Sequence, residues 1–171
     1  SEIGKVCHAL GIDCLRVDKE ADMMSDETLS ICFQFVDCHD FVHLHGSIPC
    51  TPWSQIQRLN EYQYGESFIK KLARARRQSL LQVARFLILA RHVKKKGGTS
   101  SFEWPKSAVG WDRPLVKQLI DELKYLSVCI NGCAVGLKSK RTGLAILKPW
   151  RFVTDNPELL KVLSFKTCTR D

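Results

Sequence analysis

A helical pattern roughly thirty residues long, from Glu66 to Lys96, lies between two short strand-like runs, and this spacing points the chain toward an α/β arrangement. Ile69, Leu72, Leu80, Val83, Leu87 and Ala90 recur on one helical face, while Lys70, Lys71, Arg74, Arg76, Arg77, Arg85, Arg91 and Lys94 to Lys96 occupy the other. Gly97-Gly98 ends the pattern. The run before it, residues 41 to 47, alternates apolar and polar side chains through Phe41, Val42, His43, Leu44 and His45. The run after it, Thr99 to Trp104, stops at Pro105.

The flanks continue the alternation of helices and strands. Ile3, Val6, Cys7 and Leu10 predict a helix over 2–10 closed by Gly11, followed by a strand from Ile12 to Val17 ending at Asp18. Ser25 is the expected N-cap of a helix that buries Leu29, Cys32, Phe33 and Val36. Gln55 to Tyr64 reads as a polar loop or short helix able to cover a site. Val116, Leu119, Ile120 and Leu123 mark another helix, and Ser127 to Ile130 another strand. Val135–Lys138 and Leu144–Val153 are expected to be the arms of a hairpin around Ser139-Lys140-Arg141-Thr142-Gly143, the second arm interrupted at Lys148 to Arg151. Asn156-Pro157 opens a last helix through Val162. These elements predict one domain over 1–165, truncated at its N-terminus, and a tail at 166–171.

Charge and cysteine usage narrow the setting. The 171 residues carry 26 Lys and Arg against 18 Asp and Glu, a net charge of +8, which favours a polyanionic partner such as nucleic acid. Eight cysteines are scattered through apparent helices and strands rather than arranged as a disulfide framework, so a reducing, intracellular setting is expected. The most apolar run, Leu80 to Val93, contains Gln82, Arg85 and Arg91 and is too short and charged to span a bilayer, so no membrane partner is expected.

Three places could carry chemistry. Pro49 and Pro52 stiffen the loop that presents Cys50 beyond the strand at 41–47, where open α/β sheets bind ligands. The simpler role for Cys50 is a small packing thiol. Glu103 is a carboxylate between two aromatics, Phe102 and Trp104, and a glutamate in a buried strand needs a polar partner or a ligand. Asp18 ends a predicted strand, as do carboxylates that accept hydrogen bonds from ribose hydroxyls. Cys38, His39, His43 and His45 match no common zinc spacing, so no metal is expected and a metal-dependent hydrolase is the least favoured class.

Taken together, Pro49-Cys50 with Pro52-Trp53-Ser54, Phe102-Glu103-Trp104-Pro105, Pro149-Trp150-Arg151 before Phe152-Val153, and Asp18 resemble class I S-adenosylmethionine-dependent methyltransferases, most closely the DNA cytosine-5 branch. A similar combination occurs in methyltransferase-like segments of mobile-element polyproteins. The resemblance implies a Rossmann-like sheet, mostly parallel with an antiparallel C-terminal hairpin, helices on both faces, and a first strand with its glycine-rich turn lying before Ser1. It implies Cys50 as nucleophile on a flipped cytosine, Glu103 on the pyrimidine edge, and Arg151 steadying the base. S-adenosyl-L-methionine would be the cofactor, with Asp18 on its ribose and Asp37 or Asp40 near its adenine. Nucleic acid would be held by Trp53, Arg74, Arg76, Arg77, Lys140 and Arg141. The sequence departs from the pattern at Ile48, Thr51, Trp104 and Pro149, and it contains neither the glycine-rich cofactor loop nor a target-recognition region. Those departures leave open a catalytically inactive module that binds nucleic acid through its basic helix.

Overall fold

In the computed structural model, which describes residues 2–18 and 22–166, four strands form a single sheet. They are β1 (His43–Gly46), β2 (Thr99–Pro105), β3 (Leu126–Asn131) and β4 (Pro149–Thr154), ordered β1-β2-β4-β3. β1 and β2 pair in parallel, and β4 runs antiparallel to both β2 and β3. The chain is therefore α/β, but its sheet is mixed rather than mostly parallel. Three strands share a direction; β4, inserted between two of them, leaves only one parallel pair.

The helices are α1 (Glu2–Ala9), α2 (Asp26–Asp37), α3 (Gln57–Lys95), α4 (Pro114–Leu123) and α5 (Pro157–Ser164). α3 is the crossover that makes the parallel β1–β2 pair possible, since strands running the same way need a long connection. Its 39 residues are broken at Gly65, whose φ of 64° and ψ of −154° suit a residue without a side chain. Arg76 follows Glu61 by fifteen residues, yet its Nη1 donates to Glu61 Oε1 at 3.2 Å. An unbroken helix would separate them by about 22 Å along its axis. Residues 57–64 therefore fold back along the rest of α3.

Packing follows the apolar faces. Val83, Phe86, Leu87 and Ala90 of α3 and Val116, Leu119 and Leu123 of α4 close over Phe102 and Trp104 of β2 and Val153 of β4. The approach is close enough that a Cβ on Gly46 would stand 2.6 Å from Phe86 Cε2, so any side chain at this strand end would have to displace the Phe86 ring. A second cluster joins Cys32 and Val36 of α2 to Leu89 and Val93 of α3. Ser25 caps α2 as expected, accepting from Thr28 N at 3.4 Å. α5 packs along β3, and Asn156 caps it by accepting from the amides of Glu158 and Leu159.

Several expectations are corrected. Ile12 to Val17 forms no strand, and Ile12 and Leu15 remain exposed. β-prone residues need a ladder to join, and none of the described strands reaches them. The helix at 2–9 forms before Gly11 (φ 67°), but Val6 and Leu10 stay exposed. The hairpin at 135–153 is reduced to one bridge, Lys138 to Ala145, while β3 and β4 pair directly across a longer excursion. Pro149 to Arg151, expected to interrupt a strand, begin β4; Pro149 sits at its first position, where a missing N–H costs least. Residues 167–171 of the expected tail lie outside the described residues. No described helix is long and apolar enough to cross a membrane.

Candidate functional site

The loop after β1 has two prolines, so it cannot continue the strand, and its carbonyls must find partners elsewhere. Side chains supply them. Trp104 Nε1 donates to Ile48 O at 2.7 Å, Gln57 Nε2 to Thr51 O at 2.9 Å, and Arg76 Nε to Pro52 O at 3.1 Å. Cys50 opens a short 3₁₀ turn, Thr51–Trp53, its carbonyl accepting from Trp53 N at 2.9 Å. The thiol is half-buried and packs against the edge of the main core. It is thus held on a loop fixed from β2 and from α3.

Glu103 stands on the neighbouring strand, near its carboxyl end. Its Oε1 accepts from Ser47 Oγ at 2.9 Å, and Ser47 belongs to the Cys50 loop. Burial pushes the Glu103 carboxyl above the ordinary range, partly offset by the Ser47 bond and by the positive charge of Lys148. Two strand ends that run side by side therefore present a thiol loop and a reluctantly ionised carboxyl, joined through one serine.

The same sheet face carries a polar row below Glu103. Ser101, fully buried, bonds through Oγ to His43 Nε2 and His45 Nδ1, each at 2.9 Å. His43 Nδ1 bonds to Thr99 Oγ1 at 2.8 Å, and Asn156 Nδ2 donates to the same oxygen at 3.2 Å. Because Asn156 Oδ1 is occupied by the α5 cap, the orientation of this amide is fixed. His45 also stacks on Phe152, with ring centroids 6.1 Å apart, and burial holds its imidazole below the usual range.

Arg151 does not join Glu103. Cross-strand partners share a face, and Arg151 pairs with Trp104 whereas Glu103 pairs with Phe152. Arg151 accordingly lies on the opposite face, its guanidinium 4.7 Å from the Trp111 ring and its Nε donating to Ser127 Oγ at 2.9 Å. Trp53, expected to stack on a base, is 1% exposed. Its Nε1 donates to Ser79 Oγ at 2.8 Å and its ring lies 6.0 Å from Trp104, so it is a core side chain.

The remaining expected residues fall into engaged and open groups. Asp37 accepts from His92 Nε2 at 2.9 Å and pairs with Lys96 Nζ at 3.2 Å, which together hold its carboxyl below the usual range. It ties the ends of α2 and α3 together. Asp18 pairs with Arg16 at 2.8 Å, on an irregular segment rather than at a strand end, and Asp40 is exposed. Arg76 is spent on Pro52 and Glu61, whereas Arg74 and Arg77 on α3, and Lys140 and Arg141 on the 139–143 turn, are exposed. Among the described residues no group of three His, Cys, Asp or Glu is arranged to hold a metal ion.

Sequence reasoning missed Ser47, Ser101 and Gln57. Ser47 carries the link between the loop and Glu103; its only signal was its position at the end of an alternating strand beside a carboxylate strand. Ser101 could have been read from its alternation with Glu103, which places both on one face. Gln57 gave no signal, because its bond to Thr51 O depends on how the 3₁₀ turn at Thr51–Trp53 leads into α3. Comparisons with protein-family models, curated proteins and solved structures found no match to this chain.

Proposed function

We propose that this chain is a methyltransferase-like domain of Rossmann-like type that handles a pyrimidine base of nucleic acid through Cys50 and Glu103. The observation that carries the reading is the Ser47–Glu103 hydrogen bond, which links the Cys50 loop to the carboxyl of the adjacent parallel strand. The strand order adds support: the reading requires the cysteine strand and the glutamate strand to be parallel neighbours with a reversed strand beyond them, as in β1-β2-β4.

The chemistry follows from the two groups. The Cys50 thiolate adds to C6 of cytosine, forming an S–C6 bond, and the displaced π electrons make C5 nucleophilic. A carboxyl raised by burial is protonated more readily than an exposed one, so Glu103 can donate toward N3 and neutralise the charge that addition creates. Collapse of the adduct expels the thiolate and returns the proton. S-adenosyl-L-methionine is the methyl donor this reading calls for. The acids expected to bind it do not form a cradle: Asp37 is engaged by His92 and Lys96, Asp18 by Arg16, and neither the groove beside Trp53 nor the one beside Asp155 is lined by them or by Asp40.

While the adduct lasts, C5 can take a deuteron from solvent, forming a C5–D bond, and then lose its original proton to solvent before the S–C6 bond breaks, so the C5 hydrogen exchanges without any methyl donor. The full-length protein, incubated with oligonucleotide in deuterated water, is expected to catalyse that exchange. Cys50→Ala should abolish it, and Glu103→Gln should slow it by roughly 10²- to 10⁴-fold. Exchange that is absent from the wild type, or that survives Cys50→Ala, would remove the reading. A second reading, a non-catalytic nucleic-acid-binding module, is favoured by the exposed cations Lys71, Arg74, Lys140 and Arg141. Binding that weakens steeply with salt, without C5 exchange, would select it.

A further inference from the structure

Beside the Cys50 loop, α3 and the start of α4 enclose an open groove of about 480 Å³. Its lining is aliphatic at Leu80, Leu81, Ala84 and Leu115, and guanidinium groups of Arg76, Arg77 and Arg113 stand around it. Arg76 and Arg113 lie 5.7 and 5.4 Å from the centroid of the buried Trp53 ring, which holds them in place. Among the described residues, neither Arg77 nor Arg113 has a carboxylate partner. α4 begins at the groove with Pro114 and Leu115; Pro114 carries no N–H and the amides of Val116 and Lys117 donate to Arg113 O, each at 3.0 Å, so the positive character of the groove comes from the guanidinium groups.

We propose that this groove docks an acidic amphipathic helix of a partner protein, its aliphatic side chains on Leu80, Leu81 and Leu115 and its carboxylates on Arg77 and Arg113. Charge complementarity selects the acidic partner, and the lining selects a helix over a nucleic-acid strand. A strand is held by phosphates and by bases stacked on aromatic faces, and the one aromatic here, Trp53, is 1% exposed and has no face to offer. An aliphatic trough with a charged rim is instead the complement of a helix with apolar anchors at i, i+4 and i+7. A second copy of this chain is a poor occupant, because each copy carries a net charge of +8. The proposal stands independently of the cysteine chemistry.

A randomised helical peptide library displayed against the full-length protein tests it. Enriched peptides are expected to carry Asp or Glu flanking an aliphatic i, i+4, i+7 stripe. Their affinity, read by fluorescence anisotropy, should fall at least about tenfold in an Arg77→Glu/Arg113→Glu double variant. Peptides with the acids replaced by lysine should then bind that double variant better than the wild type. Leu81→Asp, at an exposed position, should also weaken binding while the circular dichroism spectrum stays unchanged. Four results would overturn the proposal: no enrichment of acidic helices; enriched peptides that bind the double variant as well as the wild type; a single-stranded oligonucleotide that competes for the groove and loses affinity in the same variants; or self-association that the double variant abolishes.

Discussion

Two segments with similar apolar, strand-like sequence met opposite fates. Residues 12–17 remain irregular, whereas residues 43–46 became β1 and position the Cys50 loop. The difference lies in their partners. β1 has the crossover helix α3 to bring β2 alongside it in register, His43 against Thr99 through Gly46 against Phe102. Residues 12–17 have no described strand to join; Ile12 and Leu15 stay in water, and Val17 alone packs, against the cluster of α2 and α3. Strand propensity records a capacity to pair, and the pairing itself is decided at long range.

That contrast can be broken most severely at Trp53, which anchors the β1 loop to the core. Trp53→Ala is expected to cost about 3–5 kcal/mol of unfolding free energy, measured by urea titration. Its counterpart, Leu15→Ala in the unpaired segment, should change stability by less than about 0.5 kcal/mol. An equal effect at the two positions would contradict the account. At Gly46, substitution by Ala sets a methyl group against Phe86 and should cost about 1–3 kcal/mol by the same measurement. Arg76→Ala leaves the Pro52 carbonyl and Glu61 without their donor; a loss of about 1–3 kcal/mol is expected, with faster alkylation of Cys50 as the loop loosens.

The smallest effect concerns pH and separates the two carboxylates Glu103 and Asp37. The Glu103 carboxyl is raised, so its folded form favours the proton: stability from this group is present below the unfolded value near 4.5 and is lost as pH rises through the folded value. Asp37 is lowered, so its contribution is present above the unfolded value near 3.8 and is lost as pH falls through the folded one. Glu103→Gln should therefore gain stability relative to the wild type between pH 4 and pH 7. Asp37→Asn should lose most at pH 7, and its deficit should shrink only as pH falls below 3.8 toward the lowered folded value. Denaturation curves across that range check both signs.

Much of the frame was legible in the sequence. The α3 crossover, the strand before Pro49, the caps at Ser25 and Asn156 and the strand stop at Pro105 rest on local signals that packing did not override. What local signals could not give was register. The parallel pairing of β1 with β2 follows from a long connection, but the insertion of β4 between β2 and β3 depends on where Phe152 and Val153 find apolar neighbours. That insertion decides which face each site residue occupies, and it placed Arg151 with Trp104 and away from Glu103. Trp53 was misassigned for a related reason: its place on the Cys50 loop suggests a base contact, and only the closing of α3 and α4 over it makes it core. Gly65 gave no hint that the helix reverses there, so the clamp of Arg76 on Pro52 of the Cys50 loop and on Glu61 was invisible.

The account depends on the Cys50 loop and Glu103 forming one site through Ser47, and a carboxyl titration by carbon NMR reads that link directly. Glu103 should titrate above an ordinary glutamate in the wild type, and higher still in Ser47→Ala, because the serine bond that favours its ionised form is gone. A Glu103 that titrates normally, or one whose titration Ser47→Ala leaves unchanged, would contradict it.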